Sequence, residues 1–302
     1  MSQSSLGKYL RPEVLTRLAR SELLPRHLVE GTLTGAHKSP AHGFAVEFAG
    51  HREYAPGDDV RHLDWKVYFR HEKHVIKQYE METNLVCHLL LDVSASMRYG
   101  QDDQQKLAFA ARAAVTLAHL VIEQSDKASL TLFDEEVRDA IRPSNSMAQL
   151  LLMTSALDRI EPVQKTQIGK SLLDFAARAG RRSIVVILSD FLTDPQDLVK
   201  GIQQLRYANH EVVLMQVLHH DELDFSFAGN VRFVGLEMDR QLQTHPKSIR
   251  DAYLRALASH NQQLEDICHA NRCERIVCDT SKNMGKLFAD YLEQRAVLHR
   301  RR

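Results

Sequence analysis

Two carboxylates in the sequence stand where chemistry is expected, at the ends of two apolar runs. Asp92 follows the run Leu89–Leu91, and Asp190 follows Val186–Leu188 and Ser189. If these runs are neighbouring parallel strands, roughly 4.8 Å apart, both carboxylates lie at the carboxyl edge of the sheet, where ligands of open α/β sheets bind. Two anions this close repel each other unless a cation or a proton lies between them. The pair therefore predicts a shared cation or a shared proton.

The residues after Asp92 add hydroxyl groups to this carboxylate. In Asp92-Val-Ser94-Ala-Ser96 the polar side chains recur at every second position, so an extended loop points all of them to one side. A set that offers only oxygen suits a hard cation, and Mg²⁺ in particular favours octahedral oxygen geometry. The alternative is that Ser and Asp here simply cap the helix that follows the strand and need no metal.

A third polar element, Thr166-Gln-Ile-Gly169, precedes an amphipathic pattern. The Thr166 hydroxyl either reaches the same sheet edge or caps the helix, and the element taken alone favours capping. Taken in order, an Asp-x-Ser-x-Ser after one buried strand, a Thr before a helix and an Asp ending a second buried strand favour a metal site over coincidence.

The periodicity of apolar residues indicates the elements that position these side chains, and it changes near residue 85, which divides the chain into 1–84 and 85–302. Residues 10–30 predict one or two short helices broken around Pro25, and residues 35–82 predict turns and short strands without a helix. From residue 85 strands and helices alternate, which predicts an α/β fold with a mostly parallel central sheet and helices on both faces. The predicted strands are 85–91, 128–133, 136–141, 183–188, 211–218, 231–238 and 274–278. The predicted helices are 103–124, 147–159, 168–179, 195–208, 247–271 and 282–298.

The composition excludes several classes of protein. The chain has 302 residues, with 39 Lys and Arg against 39 Asp and Glu, so it lacks the long-range attraction for phosphate backbones that nucleic-acid binders show. It contains no run of 18 apolar residues and no secretion pattern at its N-terminus, so we expect a cytoplasmic protein without membrane insertion. Its four cysteines form no C-x-x-C pair, which disfavours a metal site built on sulfur.

The order of polar elements resembles the metal-ion-dependent adhesion site of von Willebrand factor type A domains, whose pattern is Asp-x-Ser-x-Ser, then Thr, then Asp. The resemblance spans roughly residues 85–218. It implies that the ion is held by Asp92, Ser94, Ser96 and Thr166, with Asp190 acting directly or through water. The sequence departs from the pattern at Phe191, where many such domains have Gly. The shape of that loop is therefore open.

The segment before residue 85, together with the loop after the first buried strand, resembles the family called domain of unknown function 58, and the resemblance covers most of the chain. The residues that carry it are Glu47-Phe48, Arg52-Glu-Tyr54, Pro56-Gly57-Asp58-Asp59-Val-Arg61, Leu63-Asp64-Trp65 and Glu80, followed by Leu91-Asp92-Val-Ser94-Ala-Ser96-Met97. Members of that family are bacterial and archaeal proteins, often encoded beside MoxR-type AAA+ ATPases, with which they are thought to act in the maturation or assembly of other proteins. Many members carry two N-terminal membrane helices and this sequence shows none, which implies a soluble member.

By physical chemistry alone, this segment favours packing over function. Residues 54–59 suit a tight turn, and Trp65 suits a core anchor. The charged residues of the segment predict either an ion-pair network or an exposed docking surface. They are Arg52, Asp58, Asp59, Arg61 and Asp64.

An ion held by carboxylates and hydroxyls keeps positive character on its open side, where an acidic side chain of another protein can complete its coordination. We therefore expect a non-enzymatic, Mg²⁺-dependent protein-interaction module, and the family resemblance implies a MoxR-type AAA+ ATPase as its partner. One alternative is a Mg²⁺-dependent phosphoryl-transfer or hydrolytic enzyme that uses the same carboxylates. Another is a metal-free scaffold that binds through residues 35–82, with Asp92 and Asp190 as helix caps.

Overall fold

The computed structural model describes residues 2–25, 46–55, 63–71, 73–81, 85–161, 165–180, 182–237 and 240–300. The chain divides into two compact units, one formed by His27–Asn84 and the other by Met1–Arg26 together with Leu85–Arg302. The break after residue 84 lies where the apolar periodicity changes. Residues 1–26 belong to the larger unit, whereas the sequence analysis grouped them with the segment that follows.

The elements are numbered along the chain. The N-terminal helices are α1 (Ser2–Tyr9) and α2 (Pro12–Leu18), and the smaller unit contains β1 (Val46–Glu53), α3 (Trp65–His71) and β2 (Val75–Met81). The strands of the larger unit are β3 (Val86–Asp92), β4 (Lys127–Phe133), β5 (Val137–Ser144), β6 (Ile184–Ser189), β7 (Glu211–Leu218), β8 (Val231–Val234), β9 (Gln241–Thr244) and β10 (Glu274–Asp279). Its helices are α4 (Lys106–Glu123), α5 (Ala148–Asp158), α6 (Ile168–Arg178), α7 (Pro195–Tyr207), α8 (His220–Asp224), α9 (Pro246–Ala270) and α10 (Met284–Arg300).

The larger unit is built on a six-stranded sheet in the order β10-β7-β6-β3-β4-β5. All neighbours pair in parallel except β4 and β5. Only three residues, 134–136, join β4 to β5, and a connection this short permits only an antiparallel pair. The predicted α/β fold with a mostly parallel sheet is confirmed, with one antiparallel strand at its edge.

Helices cover both faces of this sheet. Residues of α6, α7 and α9 pack on one face around Leu90, Ile187 and Leu214, and α4 contacts β3, β4, β6 and β7 from the opposite face. Burial on both sides explains why the strands read as continuous apolar runs. Gly201 lets α7 approach α6 closely, because a Cβ at this position would lie 2.6 Å from the Cβ of Leu172.

The N-terminal helices pack on helices of the larger unit, which is why residues 1–26 group with it. Helix α1 contacts α4 and α5, and α2 contacts α10. The Tyr9 hydroxyl donates to Asp158 Oδ1 over 2.8 Å, and Arg295 Nε donates to the backbone oxygen of Leu24 over 2.6 Å. These tertiary contacts join positions far apart in the sequence, so local periodicity does not reveal them.

Two sequence predictions are wrong in detail. Helix α3 forms where no helix was expected, because Asp64 caps it by accepting from the backbone N–H of Lys66 at 2.9 Å. The predicted strand 231–238 is shorter, since β8 ends at Val234 and pairs with β9 in a separate two-stranded sheet. Its exposed alternate residues show that it covers no central core.

Candidate functional site at the carboxyl edge of the sheet

Asp92 and Asp190 lie at the carboxyl ends of two neighbouring strands. Asp92 is the last residue of β3 and Asp190 directly follows β6, and the two strands pair in parallel with Leu91 opposite Leu188. After β3 the chain runs to β4 on one side, whereas after β6 it runs to β7 on the other. This is the topological switch point at which open α/β sheets bind ligands. The two strands are therefore neighbours, which is the condition under which both carboxylates lie at one site.

The loop after β3 folds its hydroxyls around Asp92. The backbone N–H of Ser94 donates to Asp92 Oδ1 over 2.9 Å, and the hydroxyls of Ser94 and Ser96 lie 3.0 Å apart. A short 3₁₀ turn, Ala95–Arg98, follows directly. Asp92 and Ser94 are fully buried, so the loop holds this carboxylate in a fixed position.

Thr166 belongs to this group and does not cap the helix it precedes. Its hydroxyl donates to Asp92 Oδ2 over 3.3 Å. The N-cap position of α6 is occupied by Gln167, which makes no side-chain capping bond. Of the two roles left open for Thr166, the structure supports the one at the sheet edge.

The pKa of Asp92 depends on its burial and on the groups around it. Burial raises the pKa of its carboxyl to about 6, and the negative charge of Asp190 adds to this effect. Hydrogen bonds oppose the shift, among them one from the Ser189 hydroxyl to Asp92 Oδ2 at 2.6 Å. The sequence analysis quoted Ser189 but gave it no role. Its position as the last residue of a buried strand, next to Asp190, is the signal that could have identified it.

A buried lysine holds Asp190, and the sequence analysis missed it. The Lys106 ammonium donates to Asp190 Oδ2 and to Glu222 Oε1, both over 2.8 Å. Burial alone lowers the pKa of Lys106, but attraction to the two carboxylates outweighs it and the net pKa is raised. Asp190 also accepts from the backbone N–H of Leu192 at 3.1 Å. Both carboxylate oxygens of Asp190 therefore already accept hydrogen bonds within the protein. This favours contact between Asp190 and a metal through water over direct ligation.

Phe191 settles the shape of the loop after β6. Its backbone adopts the left-handed region with φ of 53°, the conformation that Gly supplies most easily. The Phe191 ring is 1% exposed and packs in the core cluster. Its backbone N–H donates to Ser189 Oγ over 3.0 Å, and its oxygen lies 2.8 Å from His260 Nε2. The loop thus keeps the glycine-like backbone and stabilises it through side-chain packing.

Comparison with known proteins identifies the family. The family model described as "Protein of unknown function DUF58" matches residues 50–263. The chain belongs to the DUF58 family. The uncharacterized protein Rv1480 of Mycobacterium tuberculosis is 30% identical over 258 residues, which cover 82% of this DUF58 chain and 79% of that protein.

Solved structures of low identity resemble this DUF58 protein. An aerotolerance-related membrane protein from Bacteroides fragilis is 13% identical with a TM-score of 0.46, covering 70% of this chain and 97% of that one. The SpRpn10 VWA domain is 13% identical with a TM-score of 0.39, covering 70% of this chain and 95% of that one. Among the residues that the structure describes, no helix is both long enough and apolar enough to cross a membrane.

The strand order and the loop at the switch point give this DUF58 chain a von Willebrand factor type A-like fold. The family match covers both units of the chain, since it begins in β1 and ends in α9. Asp92, Thr166 and Asp190 all fall within the matched range.

In the smaller unit, β1 and β2 form an antiparallel pair. Asp64 is buried, and His51 Nε2 lies 2.9 Å from its Oδ2, which is one contact of the ion-pair type expected for the charged DUF58 segment. Trp65 is 53% exposed, so its expected role as a core anchor is wrong. It is the first residue of α3, and its ring lies edge-on to that of Tyr68. Residues 56–62, with the predicted turn and three of the five charged residues, lie outside the described ranges.

The donor set of this DUF58 site fits a hard divalent cation such as Mg²⁺. Asp92, Ser94, Ser96 and Thr166 bring a carboxylate and three hydroxyls to one place, and hard cations prefer such oxygen ligands. Within the described ranges no group of three or more His, Cys, Asp or Glu side chains is arranged to hold a metal, so an ion here would depend on the hydroxyls. The ligand roles of these residues remain a prediction.

Proposed function

We propose that the protein is a non-enzymatic interaction module that binds Mg²⁺ at the carboxyl edge of its sheet and through it an acidic side chain of a protein partner. Asp92, Ser94, Ser96 and Thr166 would hold the ion, with Asp190 acting through water. The observation that carries the proposal is the convergence of these oxygen groups on the buried Asp92 at the topological switch point.

The ion supplies an electrophilic position that a carboxylate from another protein can bind. The protein itself supplies a rigid frame, because the β3 loop is fixed by its own hydrogen bonds and Asp190 is fixed by Lys106. Docking of a partner carboxylate on the ion needs only this fixed frame and no proton transfer. The family resemblance supports a MoxR-type AAA+ ATPase as the partner, with a role in the assembly or maturation of other proteins. An ATP-dependent partner would require the complex to be in the cytoplasm, where ATP is available.

The test uses the purified MoxR-type ATPase of the same genome, immobilised and supplied with Mg²⁺ and ATP. Wild type, Asp92→Asn and Asp290→Asn are compared for binding to it, and Asp290 is the control because it lies exposed on α10. We expect Asp92→Asn to weaken binding by about 10-fold or more, with Asp290→Asn unchanged. The variants carry the test because a chelator would also remove Mg²⁺ from the ATPase.

Calorimetric titration of Mg²⁺ into the isolated protein separates the metal from the partner. Heat of binding in wild type that disappears in Asp92→Asn supports the site. Equal ATPase binding by wild type and both variants would overturn metal-dependent docking. Mg²⁺-dependent hydrolysis of a generic phosphate ester that Asp92→Asn abolishes would replace the proposal with the enzyme alternative.

A further inference from the structure

A small hairpin outside the central sheet is packed beside the carboxyl edge. It consists of β8 and β9, and the backbone N–H of Gly235 donates to the oxygen of Arg240 over 2.8 Å. Aromatic side chains anchor it: the Phe225 ring stacks on Phe233 with centroids 5.6 Å apart and lies 4.5 Å from Tyr253 of α9. The hairpin is therefore fixed to the body of the larger unit.

Glu237, on the connection between β8 and β9, reaches the candidate metal site. Ser96, one of the proposed ligands, acts on its carboxylate through both its hydroxyl and its backbone N–H. The Oε1 atom of Glu237 is buried and has no hydrogen-bond partner among the described residues. Burial raises the pKa of Glu237, while the hydrogen bonds from Ser96 lower it.

The charged side chains around Glu237 are mostly negative, which makes its unpartnered Oε1 less favourable still. Asp190 repels its negative charge, and Lys106 attracts it. Asp190 in turn repels the charge of Asp92, and Lys106 also binds Glu222. Of the side chains named here, four are carboxylates and one is an ammonium. A buried carboxylate oxygen without a partner is strongly unfavourable, and a divalent cation would satisfy it.

We propose that Glu237 is the chain's own acidic ligand for the ion, binding through Oε1 at the position that an acidic side chain of the partner would take. This inference rests on the proposed function and specifies how the site is regulated. The free protein would hold its ion in a closed state. A partner carboxylate would have to displace Glu237, which lowers the affinity of the site for the partner.

The direct test is Mn²⁺ binding followed by water-proton relaxation, which reports both affinity and the number of exchanging waters on the ion. Wild type is compared with Glu237→Gln, Glu237→Ala, Asp92→Asn and the control Glu136→Gln. Glu136 is exposed between β4 and β5 at the same edge of the sheet, so it controls for loss of a nearby charge.

We expect Glu237→Gln and Glu237→Ala to weaken Mn²⁺ binding by about 10-fold and to raise the relaxation rate per bound ion, because water takes the position that the carboxylate leaves. Added acetate should lower that rate at smaller concentrations in Glu237→Ala than in wild type. Glu136→Gln should match wild type in every measurement, and thermal melting confirms that each variant is folded.

The outcomes separate the two proposals. If Mn²⁺ binding depends on Asp92 but both Glu237 variants match wild type in affinity, relaxation and acetate response, the role of Glu237 is overturned and the proposed function stands. If wild type and Asp92→Asn bind Mn²⁺ equally, the metal site itself fails and Glu237 loses its role with it. At Mn²⁺ concentrations that saturate each protein, Glu237→Ala should also bind the immobilised ATPase several-fold more tightly than wild type, and weaker binding would count against displacement.

Discussion

The ammonium of Lys106 lies 2.8 Å from Oδ2 of Asp190, and both side chains are 1% exposed. A buried ion pair gains less than its geometry suggests, since both charges lose their hydration. Lys106 also binds Glu222, whose second oxygen accepts from the backbone N–H of His219 at 2.8 Å. One lysine thus joins the start of α4 to the loop after β6 and to α8, which follows β7.

Lys106→Met should destabilise the fold, because it keeps most of the aliphatic stem but leaves Asp190 and Glu222 without their ammonium. Breaking a buried pair by removing one partner typically lowers the free energy of unfolding by about 3 to 5 kcal/mol. Urea unfolding in the presence of EDTA measures the loss. Lys170→Met is the control, since Lys170 is exposed on α6.

The same variant has a second consequence for metal binding. Without the ammonium, Asp190 is free to offer its charge to a cation, so Mg²⁺ should raise the unfolding free energy of Lys106→Met more than that of wild type. An unfolding free energy of Lys106→Met within 1 kcal/mol of wild type would show that the buried ion pair is not maintained in solution.

Phe191→Ala and Phe191→Gly should reverse the usual order of Ala and Gly. Both lose a ring that is buried in the core, which costs about 3 to 5 kcal/mol. Only Gly relieves the left-handed backbone at φ of 53°, a conformation that costs an L-residue about 1 kcal/mol or more. Phe191→Gly should therefore be more stable than Phe191→Ala by about 1 kcal/mol. Urea midpoints compare the two, and Phe191→Ala as the more stable variant would disprove the strain.

Much of the site follows from local sequence, because its central residues end apolar strands. Asp92 and Asp190 were predictable as a pair since a buried parallel strand reads as a continuous apolar run, and the polar residue after it marks the sheet edge. Ser94 and Ser96 follow from the spacing of the same loop. The fold class follows from the alternation of strands and helices over residues 85–302.

Two charged residues next to the site, Lys106 and Glu237, could not be predicted from the sequence. Lys106 is 84 positions from Asp190 and 116 from Glu222, and no periodicity links residues so far apart. A lysine before an apolar helix is normally a solvated charge. Glu237 was missed for a related reason. The sequence predicted one strand over 231–238, whereas β8 ends at Val234. The chain that follows brings the Glu237 carboxylate next to Ser96.

Arg295 should be essential for the attachment of residues 1–26. Its side chain is fully buried and donates to Glu211, to Glu274 and to the backbone oxygen of Leu24. Arg295→Met removes the guanidinium between the two carboxylates and should lower the unfolding free energy by about 3 to 5 kcal/mol. Backbone amides of α2 should also exchange faster with deuterium. Arg255→Met is the control, because Arg255 is exposed on α9, and unchanged exchange in α2 would show that Arg295 does not hold this segment.

His88 should make the stability of the fold depend on pH. It lies in β3, with Nδ1 2.6 Å from Ser129 Oγ and its ring edge-on to Phe175. Burial lowers the pKa of His88 from 6.5 to about 4, and the charge of His210 acts in the same direction. The folded protein therefore favours the neutral ring. The contribution of the neutral His88 ring to the free energy of unfolding is complete above pH 6.5 and is lost as the pH falls towards 4.

Between pH 7 and pH 5 this group alone should lower the unfolding free energy by about 2 kcal/mol. His88→Gln removes the titration, so the variant should lose less stability over that interval than wild type by about the same amount. Urea unfolding at both pH values, with EDTA to exclude metal binding, gives the difference. His269→Gln serves as the control because the side chain of His269 is 80% exposed. Comparing the pH dependence instead of the absolute stability removes any loss of packing caused by the substitution itself. If His88→Gln and wild type lose equal stability between pH 7 and pH 5, then His88 is not held neutral by its burial.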